Sequence, residues 1–390
     1  MKTMRALAAL ATLVLLVAAC GGAGTETTVA GETTTTASGT TDTSASTETT
    51  EGTEVTTGEL IPIALQLQWV TQAQFAGYFA AIDQGFYTDA GLDVTILEGA
   101  VDIVPQQVVA AGGSEFGIAW VPKALVSREE GANLVNIGQV FQRSGTLEVS
   151  WADSGITEPA DWEGKRVGTW GFGNEFELEA AFELYDVEPG EVIQQPFDMS
   201  LLLNDELDAA QAMTYNEYAQ VLEQENPETG ALYTADDLSV IDFNEIGTAM
   251  LQDAIWADAA WLADNEETAQ AFLKASFQGW IFCRDNPDDC VQIVLGRGPA
   301  LGASHQAWQM NEINALIWPS PGGIGVMDQA LWDQTIEVAV GQDVINADPG
   351  ADAYRSDLAE AAVAELEAEG LDVAGNSFAK TTITLNLGGE

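Results

Sequence analysis

Rings and amides fall together at several points in this 390-residue chain. Trp69, Gln72, Gln74, Phe75 and Tyr78 form one group, and Trp120 stands alone. Phe141 is followed by Gln142, Trp170 precedes Asn174 and Glu175, and Tyr215, Asn216 and Glu217 are consecutive. Such sets stack a flat molecule between rings and read the donors and acceptors along its edge. They are poor instruments of covalent chemistry. The chain has one histidine, His305, and contains neither HExxH nor GxSxG. Gly171-Phe172-Gly173-Asn174 lacks the third glycine of a dinucleotide fingerprint and follows the wrong strand for one. No catalytic residue, cofactor or metal is therefore expected. With 11 tryptophans, core packing is the ordinary reading of each. Trp69, Trp120 and Trp170 rise above it because each ends an expected strand, where ligand clefts form.

The elements that position these residues follow from periodicity. Leu65, Leu67 and Trp69 alternate with polar residues, and Phe75, Tyr78, Phe79 and Ile82 then recur at helical spacing before Gly85. LDVTIL after Gly91 reads as a strand, Val104 to Ala111 as a helix ended by Gly112-Gly113, and Phe116 to Trp120 as a strand. Strands alternating with helices predict parallel sheets with right-handed crossovers, which bind ligands beyond the carboxyl ends of their strands. A second α/β unit begins near Ser154, with strands at Arg166 to Trp170, Val192 to Phe197 and Ala209 to Thr214. A helix is expected from Asn216 or Glu217, and a return crossing near Ile246 to Gln252. A strand from Leu251 to Trp256 then leads into helices over Glu266 to Phe282, Cys290 to Leu295 and His305 to Ile317.

The first 20 residues carry Lys2 and Arg5, an apolar run too short to span a membrane, and Val17-Ala18-Ala19-Cys20. This is a secretion signal. The last four residues resemble the bacterial lipobox, which implies lipidation of Cys20. Residues 21–58 are mostly Thr, Ser, Gly, Ala and Glu without an aromatic residue, and such a segment cannot bury enough apolar surface to fold. A disordered tether is expected there.

The formal charge of −49 lies mainly beyond that tether, where 10 bases face 55 acids. Nucleic acid is excluded as a partner, because phosphate backbones require a basic patch. A solvated acidic surface suits a saline exterior. Cys283 and Cys290 flank a turn in FCRDNPDDCV, and an exported chain would bridge them. Zinc is the weaker reading, since two thiolates are too few ligands.

The stretches QWVTQAQFAGYFAA, QGFYTDAGLDVTI and QVVAAGGSEFGIAW resemble the opening of type 2 periplasmic binding proteins of the thiamine-pyrimidine-precursor class. QAQFAGY, FQRSGTLEV and GNEFELEAA resemble most the riboflavin-binding receptors of bacterial ABC importers. The resemblance covers roughly residues 60–340. It implies an α/β, two-lobed fold, each lobe a mainly parallel sheet flanked by helices, with the ligand cleft between them. The expected division is a signal over 1–20, a linker over 21–58, lobe 1 over 59–152, lobe 2 over 153–250 and a return to lobe 1 over 251–390. It further implies a monomer, lipid-anchored on the outer face of the cytoplasmic membrane, that delivers ligand to an ABC permease and ATPase.

Relatives of this fold in fungi and plants synthesise the thiamine pyrimidine from their own histidine and pyridoxal phosphate. The resemblance places their Schiff-base lysine at Ala119, their donor histidine at Lys123 and their cysteine run at residues 247–251, which read GTAML. That chemistry has no residues here. Sulfonate or nitrate receptors need cations or bare helix N-termini at the anion site, whereas the helix after Trp170 opens with Asn174-Glu175. Arg143 and Lys123 are the only bases near the first-lobe loops, and Lys123 reads as solvated. The expected ligand is a flat, neutral heteroaromatic molecule. Riboflavin is the first candidate, and a pyrimidine precursor of thiamine is the alternative.

Overall fold

The computed structural model describes residues 59–389, so the signal, Cys20 and the linker lie outside the described residues. Ten strands occur in this order: β1 Ile61–Gln66, β2 Leu92–Leu97, β3 Phe116–Ala119, β4 Leu134–Gln139, β5 Thr146–Trp151, β6 Arg166–Thr169, β7 Glu191–Gln194, β8 Ala210–Met213, β9 Leu238–Asp242 and β10 Ala254–Asp258. The first sheet runs β2-β1-β3-β10-β4, with β1 parallel to β2 and β3, and β10 antiparallel to β3 and β4. The second lobe repeats that plan. β6 lies parallel to β7, Val167 bridges in parallel to Ala209 beside β8, and β5 runs antiparallel to β8 and β9.

In both lobes the antiparallel strand is the one entered from the other lobe. The two-lobed α/β fold is that of the type 2 binding proteins, and its sheets are mixed because each crossing strand arrives from the opposite end. The outward crossing corrects the expected boundary at 152/153: β5 already pairs with β8 and β9, so the chain changes lobes between Gln139 and Thr146. The 251–390 segment also needs amendment. The helix Gln329–Gly341 packs on both Val121–Glu129 of lobe 1 and Phe176–Leu184 of lobe 2, and Leu385 packs against the second-lobe core.

Period-two burial builds the first core. Ile63, Leu65 and Leu67 share one face, and the helix Glu266–Asp285 adds Phe272, Leu273, Phe277, Trp280 and Ile281, at three- and four-residue spacing, to the same buried cluster. That helix crosses Ala76–Asp83 closely enough that glycine is required at both contacts. A Cβ on Gly77 would sit 2.2 Å from the Trp280 ring, and one on Gly279 would sit 2.0 Å from the Gly77 carbonyl oxygen. The next helix, Pro287–Arg297, is joined to it by the Cys283–Cys290 disulfide, with Cα atoms 5.4 Å apart. Closing so short a loop stabilises by about 2–3 kcal/mol in the chain-entropy account.

The crossings are tied by side chains. Gln252 donates to Ser144 Oγ (3.0 Å) and Thr146 Oγ1 (2.7 Å) and accepts from the Gly145 N–H (2.8 Å). Glu177 accepts from Ser144 Oγ at 3.0 Å and from the Met250 N–H at 2.6 Å, linking outward and return segments to one helix. Burial pushes this carboxyl up to about 7 despite those hydrogen bonds. Among the described residues no helix is long and apolar enough to cross a membrane.

Candidate ligand-binding site

A cavity of about 480 Å³ opens between the lobes, beside the carboxyl ends of β1, β3, β6 and β8. Its walls include Trp69, Gln72, Gln74, Trp120, Trp170, Asn174, Tyr215, Asn216 and Glu217. Five of the expected residues are elsewhere. Phe75 and Tyr78 lie on the face of their helical stretch that packs into the first-lobe core, Tyr78 edge-on to Trp280 with ring centroids 5.5 Å apart. Phe141 backs Tyr215 from behind, edge-on at 6.5 Å, and Gln142 is buried, donating to the Gln139 and Val326 carbonyls. Glu175 turns back to accept the Gly173 N–H at 2.8 Å. The cavity wall also contains Gln68, Lys123, Phe172, Phe197 and the apolar lip Val101, Ile103 and Val104, none of which the ring-and-amide pattern singled out.

The first-lobe wall is organised from behind by Asp253, a buried residue one position before β10. Its Oδ1 accepts from Gln68 Nε2 and from Trp120 Nε1 (2.9 Å), and its Oδ2 accepts from Gln74 Nε2 (2.9 Å). Burial raises this carboxyl to about 6, against the lowering effect of those three donors and of Lys123. A carboxylate taking three donors is the ionised form. The network continues: Gln72 Nε2 donates to Gln74 Oε1 (2.8 Å), and Gln309 Nε2 donates to Gln72 Oε1 (3.1 Å) and to Asn216 Oδ1 (2.8 Å). Asn216 also meets His305 Nε2 at 2.9 Å, and His305 Nδ1 meets Glu223 at 3.0 Å. A continuous polar chain thus connects the floor of the first lobe to the first turn of the second-lobe helix Glu217–Leu222.

Two contacts close the cleft. Lys123 Nζ, 4.6 Å above the Trp120 ring, donates to Asn174 Oδ1 across the cavity at 2.8 Å. The reading of Lys123 as solvated is corrected: burial pushes its ammonium down to about 8, although Glu175 and Asp253 pull the other way. Phe197 of the second lobe lies 4.9 Å from Trp69 of the first and stacks at 6.1 Å on Trp170.

The second-lobe wall is less constrained. Gly171, Phe172 and Gly173 follow β6 with successive φ values of 71°, 58° and 83°, all left-handed. Phe172 is 68 % exposed at the rim, and the Trp170 indole N–H has no partner among the described residues. Gln211 holds the loop from below, accepting from the Trp170 N–H (3.1 Å) and donating to the Asn174 carbonyl (2.7 Å). Among the described residues no cluster of His, Cys, Asp and Glu could hold a metal ion.

Residues 72–290 match the family described as NMT1/THI5 like. The chain is 23 % identical over 237 residues to the formylaminopyrimidine-binding protein of Halalkalibacterium halodurans, covering 60 % of this chain and 69 % of that one. It is 24 % identical over 294 residues to the riboflavin-binding protein RibY of Chloroflexus aurantiacus, covering 70 % and 79 %. Among solved structures, a putative periplasmic sulfonate-binding protein SsuA of Methylobacillus flagellatus superposes with a TM-score of 0.57 at 13 % identity, over 84 % of this chain and 99 % of that one. That last likeness concerns the fold alone.

Proposed function

The chain belongs to the NMT1/THI5-like family, and we propose that it is the solute-binding receptor of an ABC importer, capturing a small planar heterocycle for delivery to a permease and its ATPase. Family and fold are typical of non-catalytic solute-binding proteins. One observation carries the choice of ligand class. The cavity is walled by Trp69, Trp120, Trp170 and Phe197 with amides between them, no arginine lines it, and its one ammonium is engaged by Asn174. Such a wall offers ring faces and edge readers, and lacks the free cations that a sulfonate or nitrate would require.

Within that class a pyrimidine of the thiamine-precursor type takes first place over riboflavin. The hydrogen-bond acceptors on the first-lobe wall suit an amino-substituted ring, and the Halalkalibacterium relative by its name binds such a molecule. Riboflavin is kept as a second reading because a cavity of about 480 Å³ has room for more than one small ring. The receptor is taken to be exported and tethered through lipidated Cys20 and the Thr-rich segment before residue 59.

Native mass spectrometry of freshly purified protein, followed by titration of tryptophan fluorescence, tests the assignment. Saturable quenching by hydroxymethylpyrimidine or formylaminopyrimidine, tighter than by riboflavin, is expected. Tight binding of taurine or nitrate with no response to either heterocycle would move the protein to the anion receptors. Cys20→Ala should release it from the membrane; unchanged mobility and attachment would remove the anchor.

A further inference from the structure

Asp253 does not line the cavity, yet it decides what the cavity wall can offer. An ionised carboxylate only accepts hydrogen bonds, so each amide that reaches it must turn its NH2 group inward. Gln68 and Gln74 do so, and the donor-only indole of Trp120 spends its N–H on the same group. All three residues line the cavity. With its nitrogen committed, Gln68 presents Oε1 as an accessible acceptor that makes no hydrogen bond among the described residues. Gln74 Oε1 takes only the Gln72 N–H and keeps a second lone pair.

We propose that Asp253 is the specificity-determining positioning residue of the site: by drawing the N–H groups of Gln68, Gln74 and Trp120 behind the wall, it leaves acceptors facing the ligand and selects heterocycles that present an amino group. This rests on the proposed receptor function. A 4-aminopyrimidine places an N–H donor where its 4-oxo counterpart places a carbonyl, and a carbonyl against Gln68 Oε1 sets acceptor against acceptor. An unmatched polar group in such a setting lowers affinity by roughly 5- to 150-fold.

Calorimetric titration of the whole protein with 4-amino-5-hydroxymethyl-2-methylpyrimidine and its 4-oxo analogue reads the preference. Wild type should favour the amino form by at least about tenfold. Asp253→Asn, whose amide both donates and accepts, frees one of the glutamines to turn and should collapse or invert that ratio. Gln68→Met keeps the side-chain shape on a partly exposed residue, removes the acceptor oxygen, and should abolish the preference while either ring still binds. Equal binding of both rings to wild type, or an unchanged ratio in both variants, would overturn the proposal. A third readout needs no ligand: the Trp120 indole N–H resonance, assigned by its loss in Trp120→Phe, should lie downfield and move upfield in Asp253→Asn. If neither pyrimidine binds but that shift is seen, the receptor's assigned ligand class has failed and Asp253 still orders the wall. If the shift is absent, Asp253 does not orient Trp120 and the proposal fails irrespective of ligand.

Discussion

β5 and β10 occupy equivalent places, each the antiparallel strand by which the chain enters a lobe, and each is associated with a buried acid that meets a different fate. Asp253, at the entrance to β10, has three donors. Glu148, in the middle of β5, has neither oxygen partnered among the described residues, and burial pushes its carboxyl well above the usual range. Burial opposes ionisation in both; partners decide the outcome. The first lobe uses its acid as a fixed charge that orders the cavity wall, whereas the second lobe stores a neutral one in its core.

Removing each acid should separate the two most widely. Asp253→Ala leaves the buried Trp120 indole and Gln74 amide without their acceptor, and each such group costs about 1–3 kcal/mol. A loss of about 3 kcal/mol or more in urea unfolding is expected. Glu148→Gln should cause no loss at neutral pH, since a neutral group replaces a neutral group in the folded state and the unfolded chain no longer gains from ionising it. Equal losses would erase the distinction.

The pH dependence sharpens the same contrast. A carboxyl whose folded pKa is raised binds a proton that the unfolded chain has released, so stability falls as pH rises through that window. For Asp253 the window runs from about pH 4, the unfolded value, to about 6, and the fall is on the order of 3 kcal/mol. Glu177 extends it to about 7. Glu148 adds the same slope from its unfolded value of about 4.5 upward, so Glu148→Gln should lessen the fall over the whole of that range, whereas Asp253→Asn should lessen it only below about pH 6. Parallel profiles for both variants would contradict the assignment of charge states.

The ring residues separate affinity from stability. Stacking on a heteroaromatic ring is worth about 1–3 kcal/mol, or roughly 5- to 150-fold in affinity. Trp69, only partly buried, should lose affinity alone when changed to Ala. Trp120→Ala should lose affinity and also lower the melting temperature, because it removes a donor from Asp253. Fluorescence titration beside thermal unfolding distinguishes the two.

What the sequence made legible was local. Alternation at Leu65, Leu67 and Trp69 pointed to β1, which ends at Gln66, the glycine breaks set off β2 and β3, and the residues that follow β3 and β6 do reach the cavity. Phe75 and Tyr78 have the right spacing for a face, but spacing does not say which neighbour the face meets, and Trp280 lies some two hundred positions away. Asp253 gave no signal at all as one acid among 61, because its partners are 185, 179 and 133 residues distant. The alternation Leu147, Val149, Trp151 was open to reading as a strand, but assigning it to the second lobe requires knowing that β8 and β9 flank it.

The smallest effect belongs to the loop of the second-lobe wall. Phe172 adopts φ 58° between two left-handed glycines, a conformation that costs an L-residue about 1–2 kcal/mol, and its ring stays 68 % exposed at the cavity rim. Glycine removes that steric cost but gives back about 0.5–1 kcal/mol through the greater freedom of the unfolded chain. Phe172→Gly should therefore raise stability without ligand by up to about 1 kcal/mol. If the ring covers bound ligand, the same change weakens binding by about 1 kcal/mol, or about fivefold. The two effects oppose each other, so the ligand-induced rise in melting temperature should shrink while the starting temperature climbs. A variant with higher stability and undiminished affinity would show that the rim contributes no contact, leaving the first-lobe wall to supply the recognition by itself.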